Sequence, residues 1–153
     1  MPTILLLFHS LSGNTKKIAD CLEMALRENQ IQVIKKAMAD CTLENIKRFD
    51  TIILGSYTWG KGELPKACQR LFEEIADLDL SSKSFAIFGS GDSSHEVFCA
   101  AVDLLEARIN EKNGHLLTKS LKMELAPTSE ADLQQCQHFA EHISQALTQL
   151  RHV

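Results

Sequence analysis

A chain of 153 residues, 44% hydrophobic and 24% charged, has the size and composition of one soluble globular domain spanning 1–153. No apolar run approaches the ~20 residues that span a bilayer, and a net charge of −4 with dispersed Lys and Arg argues against a nucleic-acid partner. Five cysteines at 21, 41, 68, 99 and 136 form no C-x-x-C pair, which argues against a disulfide framework or zinc site and for free thiols in a reducing compartment.

The chain opens on "MPTILLLFHS", with neither a basic n-region nor a small-residue cleavage site. It reads as a first strand, Thr3–Phe8, and a cytoplasmic location is expected. Lys17–Asn29 places apolar residues at 18, 19, 22, 25 and 26, the period of an amphipathic helix. Gln32–Lys36 is a weaker second strand, Thr51–Leu54 a third and Ser84–Phe88 a fourth. Strands 1, 3 and 4 are continuously apolar rather than alternating, as strands covered on both faces are. Pro65–Ile75 reads as a helix with Pro near its start. Val97–Ile109 reads as another, stopping near Asn113-Gly114. A fifth strand is expected within Leu116–Leu125, and a last helix over Ser129–Leu150 with Ser129 and Asp132 in its first turn. The β-α alternation implies a parallel sheet with helices on both faces. Ligands of such sheets bind beyond the carboxyl ends of the strands, so the loops after strands 1, 3 and 4 are where chemistry is expected.

The first loop, "HSLSGNTKK", offers three hydroxyls (Ser10, Ser12, Thr15), the Asn14 amide and Gly13 ahead of a helix. Such a helix start suits a phosphate, but the same residue types also serve as plain helix caps. Neither G-x-x-x-x-G-K nor G-x-G-x-x-G is present, which argues against ATP, GTP and a dinucleotide fingerprint. The second loop, "GSYTWGKGELP", carries the single Trp and single Tyr of the chain. Its Trp either caps the sheet edge or stacks on a planar ligand. The third follows strand 4 and presents His95 after a Gly-Ser-Gly-Asp turn. Residues 51–100 carry 4 basic against 7 acidic side chains, where residues 1–50 carry 7 against 6. That imbalance reads either as solvated helix faces or as a field that steers a basic partner.

Phosphate donors on one loop and a ring on each of two others describe a site for a flat, phosphorylated cofactor. At these residues the chain resembles the flavodoxins, over essentially its whole length. "SLSGNT" (Ser10–Thr15) is similar to their flavin mononucleotide (FMN) phosphate loop. "TWGKGELP" (Thr58–Pro65) is similar to the loop with the inner stacking Trp. "GSGDSSHEVFCAAVD" (Gly89–Asp103) is similar to the family's third cofactor loop. The resemblance implies a short-chain, three-layer α/β sandwich around a five-stranded parallel sheet of order 2-1-3-4-5.

The resemblance also implies roles. Ser10, Ser12, Asn14 and Thr15, with the backbone at Leu11 and Gly13, hold the phosphate. Ser56, Tyr57 and Thr58 lead to Trp59, which covers the inner face of the ring, and the Gly60–Lys61 peptide turns on reduction. Gly89, Ser90, Gly91 and Asp92, with Phe98 and Cys99, line the pyrimidine edge. His95 stands where the family usually has an outer-face Tyr. The function implied is a low-potential carrier shuttling single electrons at the semiquinone and hydroquinone levels. Its partners would be transient: a flavodoxin/ferredoxin reductase-type donor and a redox-enzyme acceptor, met by a monomer. The alternative is an NAD(P)H-dependent flavin or quinone reductase of the same fold. A phosphoaccepting receiver domain is disfavoured, because strands 1 and 3 end in His9-Ser10 and Gly55-Ser56 rather than in clustered acids. His138 and His142 have i,i+4 spacing but no third ligand, so no metal is expected.

A cation at position 95 would make an anionic reduced flavin less costly. The second one-electron potential is therefore expected to be less negative than with Tyr there, and to rise as pH falls toward the imidazole range of ~6.5. Redox titrations of the wild type and His95→Tyr at several pH values check this; identical potentials would contradict it.

Overall fold

The computed structural model describes residues 3–10, 13–57, 64–91 and 99–151. In chain order the elements are β1 (Thr3–His9), α1 (Asn14–Glu28), β2 (Gln32–Ala37), α2 (Leu43–Arg48), β3 (Thr51–Tyr57), α3 (Lys66–Glu74), β4 (Ser84–Gly91), α4 (Ala100–Glu111), β5 (His115–Leu116), β6 (Leu121–Glu124) and α5 (Glu130–Arg151). The strands form one parallel sheet of order β2-β1-β3-β4-β5, with β6 also paired to β4.

The unbroken apolar runs have a direct structural reason. Successive side chains of a strand point to opposite faces. Leu5, Leu7, Ile52, Leu54, Phe85 and Ile87 fill one face, packed on Ile46 of α2, Cys68 and Leu71 of α3, and Val102, Leu105 and Ile109 of α4. Ile4, Leu6, Ile53, Ala86 and Phe88 fill the other, packed on Ile18, Leu22 and Leu26 of α1 and Ala140 and Ile143 of α5. Each fully buried Leu or Ile contributes about 1.5–3 kcal/mol. At Gly55 the packing leaves no room for a side chain. Its neighbour in register is Phe88, whose Cζ would lie 2.0 Å from a Cβ placed there. The glycine leaves the Phe88 ring room to pack against the strand.

The helix ends follow local chemistry. Thr42 and Asn45 form a reciprocal capping box that starts α2, a six-residue helix holding one buried residue, Ile46. Lys83, nearly buried, donates from Nζ to the carbonyls of Lys47 (2.9 Å) and Phe49 (2.7 Å), placing a cation at the C-terminal end of α2. The α4 helix ends as expected. Asn113 adopts φ 68 and Gly114 N–H donates back to the Ile109 carbonyl at 2.9 Å. At the start of α5, Ser129 Oγ accepts from Asp132 N–H while the Asp132 carboxylate accepts from the N–H groups of Thr128 and Ser129.

The fifth strand differs from its expectation as one run. From Phe85↔Leu116 to Phe88↔Leu121 there are three steps along β4 but five along its partner. Residues 117–120 absorb the excess, so the strand appears as β5 and β6. The break lets β6 re-enter the sheet and run beside β4 to its end, where Gly91 pairs with Glu124.

Candidate functional site at the strand ends

The three central strands end level with one another. His9 of β1 pairs with Ser56 of β3, Ser56 with Gly89 of β4, and Tyr57 with Ser90. The chain reaches β2 on one side of β1 and then crosses to β3 on the other, so the loops after β1 and β3 diverge from a shared edge. This is the crevice in which open parallel sheets bind ligands.

Ser10 leaves β1, and its Oγ accepts a hydrogen bond from Gly13 N–H at 3.0 Å. Gly13 has φ 94, a left-handed conformation that glycine adopts without strain. The turn aims the first turn of α1 at the crevice. Gly13 is the N-cap, with no side-chain cap bond and no acidic residue in that first turn. The N-cap residue itself makes no capping bond, and Ser10 takes up only the Gly13 N–H. The helix start presents backbone N–H groups and a positive dipole end, as an anion site requires. Lys16 and Lys17 are exposed, and Lys16 is ion-paired with Asp20 at 3.0 Å. The donors ahead of these lysines are uncharged.

Thr15 is 1% exposed, and its Oγ1 lies 2.6 Å from Oγ of Ser90, itself 3% exposed. This buried hydroxyl pair joins the start of α1 to the end of β4. A second chain runs through β3. The Cys68 thiol donates to Ser56 Oγ at 3.1 Å, and that hydroxyl donates to the Tyr57 carbonyl at 2.7 Å. The His9 and Tyr57 rings stack, with centroids 5.4 Å apart and planes inclined by 27°. Burial lowers the His9 imidazole from its ordinary value of 6.5, so the ring is neutral at pH 7.

At the third loop, Gly89, Ser90 and Gly91 end β4. Cys99 caps α4 in a left-handed conformation at φ 54, uncommon for a residue with a side chain. Its buried thiol points toward the carbonyls of Gly89 (3.8 Å) and Met123 (4.0 Å). Burial pushes the Cys68 and Cys99 thiols up to about 11, so both stay protonated and act as weak donors rather than nucleophiles.

Of the expected site residues, the structure brings Ser10, Gly13, Asn14, Thr15, Ser56, Tyr57, Gly89, Ser90, Gly91 and Cys99 to this one edge. Leu11, Ser12, Thr58, Trp59, Gly60, Lys61, Asp92, His95 and Phe98 lie outside the described residues. Two contributors escaped sequence reasoning. Cys68 reads as ordinary core on an α3 face. Leu125, at φ 57 and 47% exposed, donates from its N–H to the Gly91 carbonyl at 2.7 Å and braces the end of β4. Its one signal is its place at a strand end, just before Ala126-Pro127. Uncharged donors at a helix N-terminus, beside two more strand ends, fit a phosphate monoester joined to a larger group in the crevice.

If the Thr15–Ser90 pair fixes this geometry, Thr15→Val should cost about 1–3 kcal/mol of stability by stranding the Ser90 hydroxyl. It should also weaken FMN binding about tenfold. Urea unfolding and fluorescence titration measure the two; unchanged FMN affinity would reduce the pair to a packing contact.

Residues 6–139 match the family described as Flavodoxin. The chain is 41% identical over 133 residues to "Probable flavodoxin 2" of Bacillus subtilis (strain 168), covering 86% of this chain and 88% of that one. It is 34% identical over 140 residues to "Probable flavodoxin 1" of the same organism, covering 92% and 89%. The crystal structure of oxidised flavodoxin 2 from Bacillus cereus superposes with a TM-score of 0.89 at 40% identity, over 94% of this chain and 98% of that one. With agreement running from β1 into α5 and a sheet of this order beneath it, the chain belongs to the flavodoxin family.

Proposed function

We propose that this chain acts as a carrier of single electrons, holding FMN non-covalently beyond the ends of β1, β3 and β4. The observation that carries the reading is the start of α1. It lacks a side-chain cap, is free of acidic residues in its first turn, and is tied by Thr15 to the end of β4. The cofactor supplies the one-electron chemistry; the protein binds it, orients it and sets the polarity around it.

In this reading the N–H groups at the start of α1, with Ser10, Ser12, Asn14 and Thr15, receive the phosphate. Thr15 contributes by fixing the wall of the site, because its buried hydroxyl is bonded to Ser90. The His9–Tyr57 stack joins the ends of β1 and β3 between the first two loops. Trp59 covers the inner face of the ring, and the backbone from Gly89 to Asp92 lines its edge. The protonated thiols of Cys68 and Cys99 add no charge near the reducible ring. The whole chain, 1–153, forms one FMN-binding domain.

The carrier meets a reductase-type donor and a redox-enzyme acceptor transiently, as a cytoplasmic monomer. Leu125, exposed beside the end of β4, gives such partners an apolar contact close to the cofactor. No described helix is long and apolar enough to cross a membrane.

A coulometric reductive titration of the FMN-loaded protein should resolve two separate one-electron steps, and NADPH alone should leave it oxidised. One two-electron step driven by NADPH alone would overturn the carrier reading in favour of a reductase.

A further inference from the structure

Away from the cofactor end, three sulfur-bearing side chains line one pocket between α1 and α5. Cys21 and Met24 lie one turn apart on α1, Cys136 faces them from α5, and all three line one pocket of 190 Å³ walled by Ala25 and Leu133. Cys21 and Cys136 lie near enough for each thiol to act on the ionisation of the other. Cys136 is 1% exposed, Cys21 is half-buried and Met24 is 66% exposed, so the thioether side of the pocket is open to solvent.

We propose that Cys21, Cys136 and Met24 form a binding site for one soft monovalent d¹⁰ cation, with Cu(I) as the biological case. Thiolate and thioether sulfur select such ions over harder divalent metals. Structural zinc asks for four ligands, and among the described residues no three His, Cys, Asp or Glu side chains gather. Two thiols and a thioether lining one small pocket instead match a two- or three-coordinate ion. Binding forms two Cu–S bonds, releases two thiol protons to solvent and uses Met24 Sδ as a neutral third donor. No electron is exchanged when the ion arrives as Cu(I).

Binding adds a single negative charge to a pocket that Glu28 and Gln137 also line. The carboxylates that act on the two thiols are already engaged. Asp20 is ion-paired with Lys16 and Lys35, and Asp132 accepts backbone N–H bonds at the start of α5. Burial keeps both thiols protonated at neutral pH, that of Cys136 pushed up to about 12. Oxidants therefore find little thiolate to attack, whereas a soft cation displaces the protons directly.

Anaerobic titration of the FMN-loaded protein with Cu(I), in competition with bicinchoninate, tests the site. One Cu(I) per chain is expected. Met24→Leu should weaken binding about tenfold, and Cys21→Ser or Cys136→Ser by at least about a hundredfold. Cys41→Ser, on the opposite face of the sheet, should leave it unchanged. Retained FMN uptake and far-ultraviolet dichroism certify each fold; if Cys136→Ser fails them, half-buried Cys21→Ser carries the test. Equal Cu(I) affinity in the wild type and Cys21→Ser would overturn the proposal. So would recovery of a Cys21–Cys136 disulfide from protein purified anaerobically without metal, which would assign the pair to thiol oxidation.

Discussion

Parallel pairing of β1, β3 and β4, with both faces covered, is the constraint on which the rest of the molecule depends. Once helices seal the two faces, the strand ends are the place left for loops to gather. Because His9, Ser56 and Gly89 lie abreast, three loops far apart in the chain leave the sheet at one level. The missing side chain at Gly55 makes room for the Phe88 ring in the layer behind them. A slip of one residue in this register would turn every buried strand residue to the opposite face, so the site inherits its alignment from the core.

The electrostatics follow from the same arrangement. The cradle at the start of α1 offers backbone donors and hydroxyls, with Lys17 exposed beside them and two further lysines ion-paired. Lys16 pairs with Asp20, and Lys35 of β2 with Asp20 and Glu23. Among the described residues no ion-paired lysine reaches into the start of α1, and burial disfavours charge on His9, Cys68 and Cys99. A redox cofactor in such surroundings meets dipoles and neutral donors, which lets small changes of charge nearby act on its potential.

Much of this was legible in the sequence for identifiable reasons. The runs at β1, β3 and β4 were readable because burial on both faces removes polar positions altogether. The start of α1 falls at Asn14, three residues before the apolar period suggests, because its first turn faces the crevice with polar residues and only Gly13 marks the boundary. The α2 helix has no period to read, since six residues bury one side chain; its sign is the Thr42–Asn45 capping box. The break between β5 and β6 is invisible in "LLTKSLKMEL", where excess residues look like a continuing strand. The bonds that lock the site, Thr15 to Ser90 and Cys68 to Ser56, join residues 75 and 12 positions apart. Spacing alone does not reveal them.

The central claim is that the start of α1 recognises a phosphate at the mouth of this sheet. Comparing the affinities of the cofactor-free protein for FMN and for riboflavin, which differ only in that phosphate, tests it most directly. Two charge-assisted hydrogen bonds would favour FMN by at least about a hundredfold. Equal affinity for the two flavins would contradict the account.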